Sequence, residues 1–231
     1  LVKNEIGYKN LIYLSSISYL NKGYDIGITI KDLENHSEGL FCFLGGEYNP
    51  LMILHNDNKN TDELIGIFKK LFKNNLLFEL QRINDSNIDS FESYLIEKSY
   101  KFNIPLIGTN NIKFGEVDEF SAHDALLCVA QKTTINSGNR KTSNNQIAFK
   151  SNDQMIDIFF DIPEIVENNF NVAISCSYYP REVLPKLPKF KNNLNLSESD
   201  LLIKIAANGL DKKIKDNEIL EKKIYKKRLS Y

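Results

Sequence analysis

Three features of the 231-residue sequence predict an α/β fold. Short apolar runs closed by glycine or polar residues alternate with amphipathic stretches of a dozen or so residues, the pattern of strands joined by helical crossovers. A hydrophobic share of 42% is enough for a buried core and excludes a disordered polar chain. The formal charge of −1 is too balanced for a tail that holds nucleic acid by net charge alone. No apolar run approaches the roughly 20 residues needed to cross a bilayer, so no membrane partner is expected.

The elements follow in order. Residues 5–21 place Ile6, Leu11, Ile12, Leu14 and Ile17 at three- and four-residue spacings, a helix with one buried stripe. The run Gly39-Leu40-Phe41-Cys42-Phe43-Leu44-Gly45-Gly46 reads as a buried strand and a turn. Thr61 to Phe72 is helical, with Thr61 as the expected cap and Leu64, Ile65, Phe68, Leu71 and Phe72 on one face. Residues 76–80 form the next strand, 87–102 a helix and 104–109 another strand. This β–α–β–α–β order argues for a parallel sheet or an α/β barrel, whose chemistry sits at strand carboxyl ends. Glu79 to Arg82 and Thr109 to Asn111 are therefore the places to inspect. Helices are expected over 118–131, 151–161 and 163–176, with a polar surface loop from Lys132 to Asn145. Prolines 180, 185 and 188 mark a connector, Ser197 caps a further helix, and 217–228 reads as a basic helix.

Charge is unevenly divided. Residues 1–180 carry 16 basic against 23 acidic side chains, and 181–231 carry 13 against 7, which suggests a boundary near Pro180. Cys42, Cys128 and Cys176 are an odd set without CxxC spacing, so reduced thiols and a cytoplasmic location are expected. The amino terminus lacks a signal-peptide pattern and does not begin with methionine, and we expect a piece of a longer protein.

Several segments together carry a resemblance. They are Lys3 to Leu11 (KNEIGYKNL), His36 to Leu40 (HSEGL), Phe78 to Arg82 (FELQR), Ile104 to Asn110 (IPLIGTN), Ala122 to Leu127 (AHDALL), Phe160 to Glu164 with Glu167-Asn168, and Leu187 to Phe190 (LPKF). In this order and spacing the chain resembles the bacterial DNA polymerase III alpha subunits, the C-family replicative polymerases, in their polymerase-and-histidinol-phosphatase (PHP) domain. The resemblance implies the second half of a distorted PHP-type (β/α) barrel over residues 1–190, followed at 191–231 by helices leading into the polymerase palm. It implies a parent that is a DNA-directed DNA polymerase, a nucleotidyltransferase using magnesium, with the proofreading exonuclease subunit, other holoenzyme subunits and DNA as partners. The palm aspartates and the early PHP motifs have no match here, so no catalytic residue is assigned.

PHP domains hold divalent ions that polarise a phosphate and activate a water. Relatives that bind metal place an Asp and a His two apart at a strand end, where alternation turns both to one face. The matching positions here are Asn111 and Lys113, a neutral amide and a cation that cannot ligate while charged. We therefore expect no metal and no other cofactor in this segment, although Cys42 offers itself as a loose substitute ligand. Lys113 either replaces lost positive charge among carboxylates or points to solvent. His123 suits a packed or capping role better than that of a general base. Glu79 and Arg82 flank a strand end, where an ion pair to a neighbouring element is expected. His36 and His55 are expected in surface loops. Lys222, Lys223, Lys226, Lys227 and Arg228 are candidate DNA-backbone contacts, although a solvated face is the commoner fate of such runs, and of Lys132, Arg140 and Lys141. Two other readings stay open: a metal-dependent PHP phosphoesterase or 3′ exonuclease, and a non-catalytic binding module from a split or decayed gene.

Overall fold

Three parallel strands, β1 (Cys42–Gly45), β2 (Leu76–Gln81) and β3 (Leu106–Thr109), lie side by side in chain order. The computed structural model describes residues 1–20, 27–46, 49–188, 190, 194 and 196–216. Leu44 pairs with Phe78, Phe78 with Leu106, and Gln81 with Thr109. Around the strands run α1 (Glu5–Leu20), α2 (Ile30–His36), α3 (Pro50–Asn56), α4 (Asp62–Phe72), α5 (Ser86–Phe102), α6 (Phe120–Gln131), α7 (Asn152–Ile158) and α8 (Glu164–Ser175). Residues divide into two compact units, Leu1–Pro180 and Arg181–Tyr231, where the charge balance changes sign. The second unit contains α9 (Glu198–Asp216), and Ser197 caps it by accepting from the Asp200 N–H at 3.1 Å.

Alternation along the strands sorts the core. Leu76, Phe78 and Leu80 of β2 and Leu106 of β3 enter the main core with Ile65, Phe68, Phe72, Phe91 and Leu95 from α4 and α5. Leu77 and Ile107 face the other way, against Val172 of α8. The chain between β1 and β2 folds as α3 and α4, and that between β2 and β3 as α5, which supplies the crossovers a parallel sheet requires.

The α/β class and the parallel sheet agree with expectation, and three local readings are corrected. Thr61 does not cap α4: its hydroxyl is fully buried and hydrogen-bonds the Tyr94 hydroxyl instead. Helices α2 and α3, each seven residues, were not anticipated. Their signals are local: a Thr29/Asp32 capping box for one, and for the other Asn49 before Pro50, the Asn49 side-chain Oδ1 accepting from the Leu51 and Met52 N–H groups. His36 and His55 lie on these helices rather than in loops. The His36 ring stacks on Tyr13 at 4.1 Å, and His55 lies against Phe91 and Tyr94.

The outer edge of β3 meets a helix. Asn169 of α8 donates from Nδ2 to the Gly108 carbonyl at 2.7 Å and accepts from the Gly108 N–H at 3.2 Å. Asn168 donates to the Leu106 carbonyl at 2.8 Å. A side-chain amide presents a donor and an acceptor in one plane, as a peptide group does, so these two residues satisfy a strand edge without a strand. Gly108 is required for the approach: a Cβ there would lie 2.5 Å from the Phe159 ring and 2.8 Å from Ile165. Asn169→Ala leaves the Gly108 N–H and carbonyl without their side-chain partner. We expect a loss of about 1 to 3 kcal/mol in urea unfolding of the chain; an unchanged midpoint would show the edge to be held by other contacts.

Candidate functional site at the strand carboxyl ends

In parallel α/β sheets the residues that follow each strand converge at one edge. Here that edge carries Gly45-Gly46 after β1, Glu79 to Arg82 at the end of β2, and Thr109 to Lys113 after β3. Gly45 allows β1 to approach β2, since a Cβ at that position would stand 2.0 Å from the Glu79 carbonyl oxygen. Glu79, Gln81 and Thr109 share one face by alternation. The Thr109 hydroxyl donates to Glu79 Oε1 at 2.6 Å, and Gln81 Nε2 donates to Thr109 Oγ1 at 3.1 Å. Gln81 Oε1 is buried without a hydrogen-bond partner among the described residues.

Arg82, three residues on from Glu79, turns away from it. Its guanidinium meets Glu92 of α5 at 2.6 Å and Asp161, after α7, at 2.6 Å, and donates to the Ile158 carbonyl. Its plane also lies over the Phe159 ring, 5.1 Å from the centroid. Asp161 and Glu92 hold the guanidinium above its ordinary pKa, and Arg82 holds the Asp161 carboxyl below its own. Arg82 is thus a three-way tie between the end of β2, α5 and the chain after α7.

Past β3 the chain runs alongside residues 146–149. Asn110 donates to the Ala148 carbonyl at 2.6 Å, and the Lys113 N–H donates to Ile147 O at 3.0 Å. Asn111, Lys113, His123, Ser143, Asn144 and Ile147 line a cavity of about 260 Å³. The Lys113 side chain is exposed and enters no ion pair among the described residues. His123 Nδ1 lies 2.6 Å from Ser143 Oγ, and its ring packs on Phe114.

The loop that forms one wall of this cavity is anchored, which corrects the reading of Arg140 as a solvated charge. Arg140 and Asp124 form a two-bonded pair at 2.8 and 2.7 Å, with only 8% and 13% of their side chains exposed. The Ser143 N–H also donates to Asp124 Oδ1 at 2.8 Å. The Arg140 guanidinium and that N–H hold the Asp124 carboxyl down to about 2. Sequence reasoning missed Asp124 as an anchor, together with Glu92 and Asp161 as partners of Arg82, because each partner is distant in the chain.

The donors at this edge do not suit divalent ions. Asn111 is a weak neutral donor, Lys113 is a cation, and Glu79 is the one carboxylate on the Gln81–Thr109 face. Among the described residues no three His, Cys, Asp or Glu side chains come together. Cys42 begins β1, at the opposite end of the sheet, and burial pushes its thiol up to about 12. Lys222, Lys223, Lys226, Lys227 and Arg228 lie outside the described residues. No helix described is long and apolar enough to cross a membrane.

Residues 1–83 match the family model described as the PHP domain. The chain is 33% identical over 228 residues to the DNA polymerase III subunit alpha of Rickettsia bellii, covering 95% of this chain and 19% of that protein. The corresponding subunit of Borreliella burgdorferi is 33% identical over 234 residues, 96% of this chain and 20% of its own length. That of Campylobacter jejuni is 34% identical over 204 residues, 82% and 17% respectively. The resemblance read from the sequence is borne out, and the chain spans about a fifth of the length of the curated relatives it matches.

Two outcomes follow from the ties at this edge. Arg82→Met strands Glu92 and Asp161; we expect about 2 kcal/mol of lost stability, less than for a fully buried pair because Asp161 stays half exposed. Chemical denaturation measures it, and a loss under about 0.5 kcal/mol would contradict the tie. For Asp124 the folded pKa is depressed, so its contribution is complete above about pH 4 and is lost as pH falls through about 2. Amide exchange in residues 133–144 should accelerate over that window, and Asp124→Asn should show fast exchange already at neutral pH. Equal protection in both chains would remove the anchoring role.

Proposed function

We propose that the chain is a segment of a replicative DNA polymerase alpha subunit, serving there as a metal-free PHP scaffold rather than as a catalytic centre. The observation that carries this reading is similarity to DNA polymerase III alpha subunits along 95% of the chain. In that setting the parent adds deoxynucleotides to a primer in the cytoplasm, using magnesium held by its palm, and residues 191–231 begin the path into that palm. The segment holds the palm in place and offers surface to the proofreading exonuclease and other holoenzyme subunits, with DNA bound by the parent.

Asn111 and Lys113 support a scaffold over a metal-dependent phosphoesterase, because neither side chain supplies the negative charge a divalent ion needs. The charges of Arg82, Glu92, Asp161, Asp124 and Arg140 are occupied with one another, which suits a structural task. The test is the size of the native polypeptide in cell extract, probed with an antibody raised against residues 130–190. We expect a band several times heavier than 26.6 kDa. A band at 26.6 kDa would make the chain itself the gene product and withdraw the polymerase activity.

A further inference from the structure

The chain carries an apolar groove with an acidic border on the side of α8 that the sheet does not use. Ile165 and Val172 turn inward to the two core clusters. On the opposite side Val166, Phe170 and Ile174 recur every four residues, a continuous helical stripe, and Phe170 and Ile174 are 65% and 58% exposed. Val166 and Phe170 of this stripe, together with α7, form a groove of about 370 Å³ lined also by Met155, Ile156, Phe159 and Ala173, and Ile174 continues the exposed stripe one turn beyond it. A helix that is apolar on two faces while packing only one leaves the other for a partner.

The charges around the groove are of one sign. Residues 151–180 contain five acidic side chains and no lysine or arginine. Asp161 is taken by Arg82, whereas Asp153, Asp157, Glu164 and Glu167 are exposed and in no ion pair among the described residues. Asp153, Asp157 and Glu167 each directly follow a groove-lining residue, Asn152, Ile156 and Val166, so the only charged side chains on the two helices that build the groove are acidic. Two copies meeting face to face through this groove would oppose carboxylate to carboxylate.

We propose that the α7–α8 groove is a docking site for an amphipathic helix of a partner protein, with apolar residues along one face and lysine or arginine along its borders. The apolar stripe supplies the seat, and the carboxylates select the sign of the partner's charge and steer its approach. The 12-residue α8 is about 18 Å long, so it accommodates about three turns of such a helix. The site is independent of the polymerase reading, because it rests on the composition and exposure of these two helices alone.

The probes are two model peptides of about 14 residues that share a leucine stripe, one with lysine and one with glutamate at the remaining positions. Fluorescence anisotropy with the longest native polypeptide containing this chain should show the lysine peptide binding at least about tenfold tighter. Phe170→Asp and, separately, Ile174→Asp should each weaken it about tenfold. Leu126→Asp, on the exposed side of α6, should change it by less than about twofold. Asp157→Lys with Glu167→Lys should reverse the preference between peptides. Circular dichroism checks that each variant is folded. Equal binding of the two peptides, no binding of either, or equal effects of Phe170→Asp and Leu126→Asp would overturn the proposal. So would self-association of the chain in sedimentation that Phe170→Asp abolishes, which would assign the groove to a second copy.

Discussion

The outer edge of β3 is the constraint on which much of the first unit's arrangement rests. A strand edge presents peptide groups that must find partners once buried. Asn168 and Asn169 provide them from a helix, which fixes α8 in register with the sheet. With α8 so placed, Ile165 enters the main core and Val172 the smaller one, and the space left by the missing side chain at Gly108 is filled by Phe159. Phe159 in turn carries the Arg82 guanidinium, whose pairs with Glu92 and Asp161 tie β2 and α5 to the chain after α7. The contacts of α8 with the sheet also leave Val166, Phe170 and Ile174 on the open side.

The carboxyl edge of the sheet has the layout at which α/β folds place active sites, and its charged groups are largely paired with one another. A catalytic edge needs charged groups held near a reactant, with lone pairs free to bind metal or move protons. Here Glu79 is engaged by Thr109, while Arg82 and Arg140 pair with carboxylates of their own unit. Asn111 and Lys113 line a small cavity and bring no negative charge of their own to it, the carboxylate in its lining being Asp85. Such pairs hold segments in place, which supports the proposed scaffold role.

The long elements were legible in the sequence through their periodicity: α4, α5, α8 and the three strands are anticipated to within a few residues, as are the bounds of α1. Of the buried stripe expected on α1, however, Ile6, Leu11 and Ile12 are exposed and only Leu14, with part of Ile17, turns inward. Helices α2 and α3 were not legible, since seven residues give too few turns to establish a stripe, and only their caps announce them. Thr61 has the chemistry of a cap, but a buried Tyr94 hydroxyl competes for its oxygen, and that partner is 33 residues away. Arg140 lies in a stretch with every local mark of a solvated loop, and only the fold brings Asp124 to it. The structural task of Asn168 and Asn169 was hidden for another reason: the chain is so rich in asparagine that composition did not mark them, and Asn168 stood out only as part of the family resemblance.

The proposed scaffold role of the carboxyl edge is tested most directly by assaying phosphoester hydrolysis by the longest native polypeptide containing this chain. The assay uses p-nitrophenyl phosphate with added manganese, comparing the native protein with its Glu79→Gln and Lys113→Ala variants. The account predicts no manganese-stimulated hydrolysis in any of the three. Manganese-dependent turnover that falls in Glu79→Gln or Lys113→Ala would contradict it and place a working metal centre at this edge.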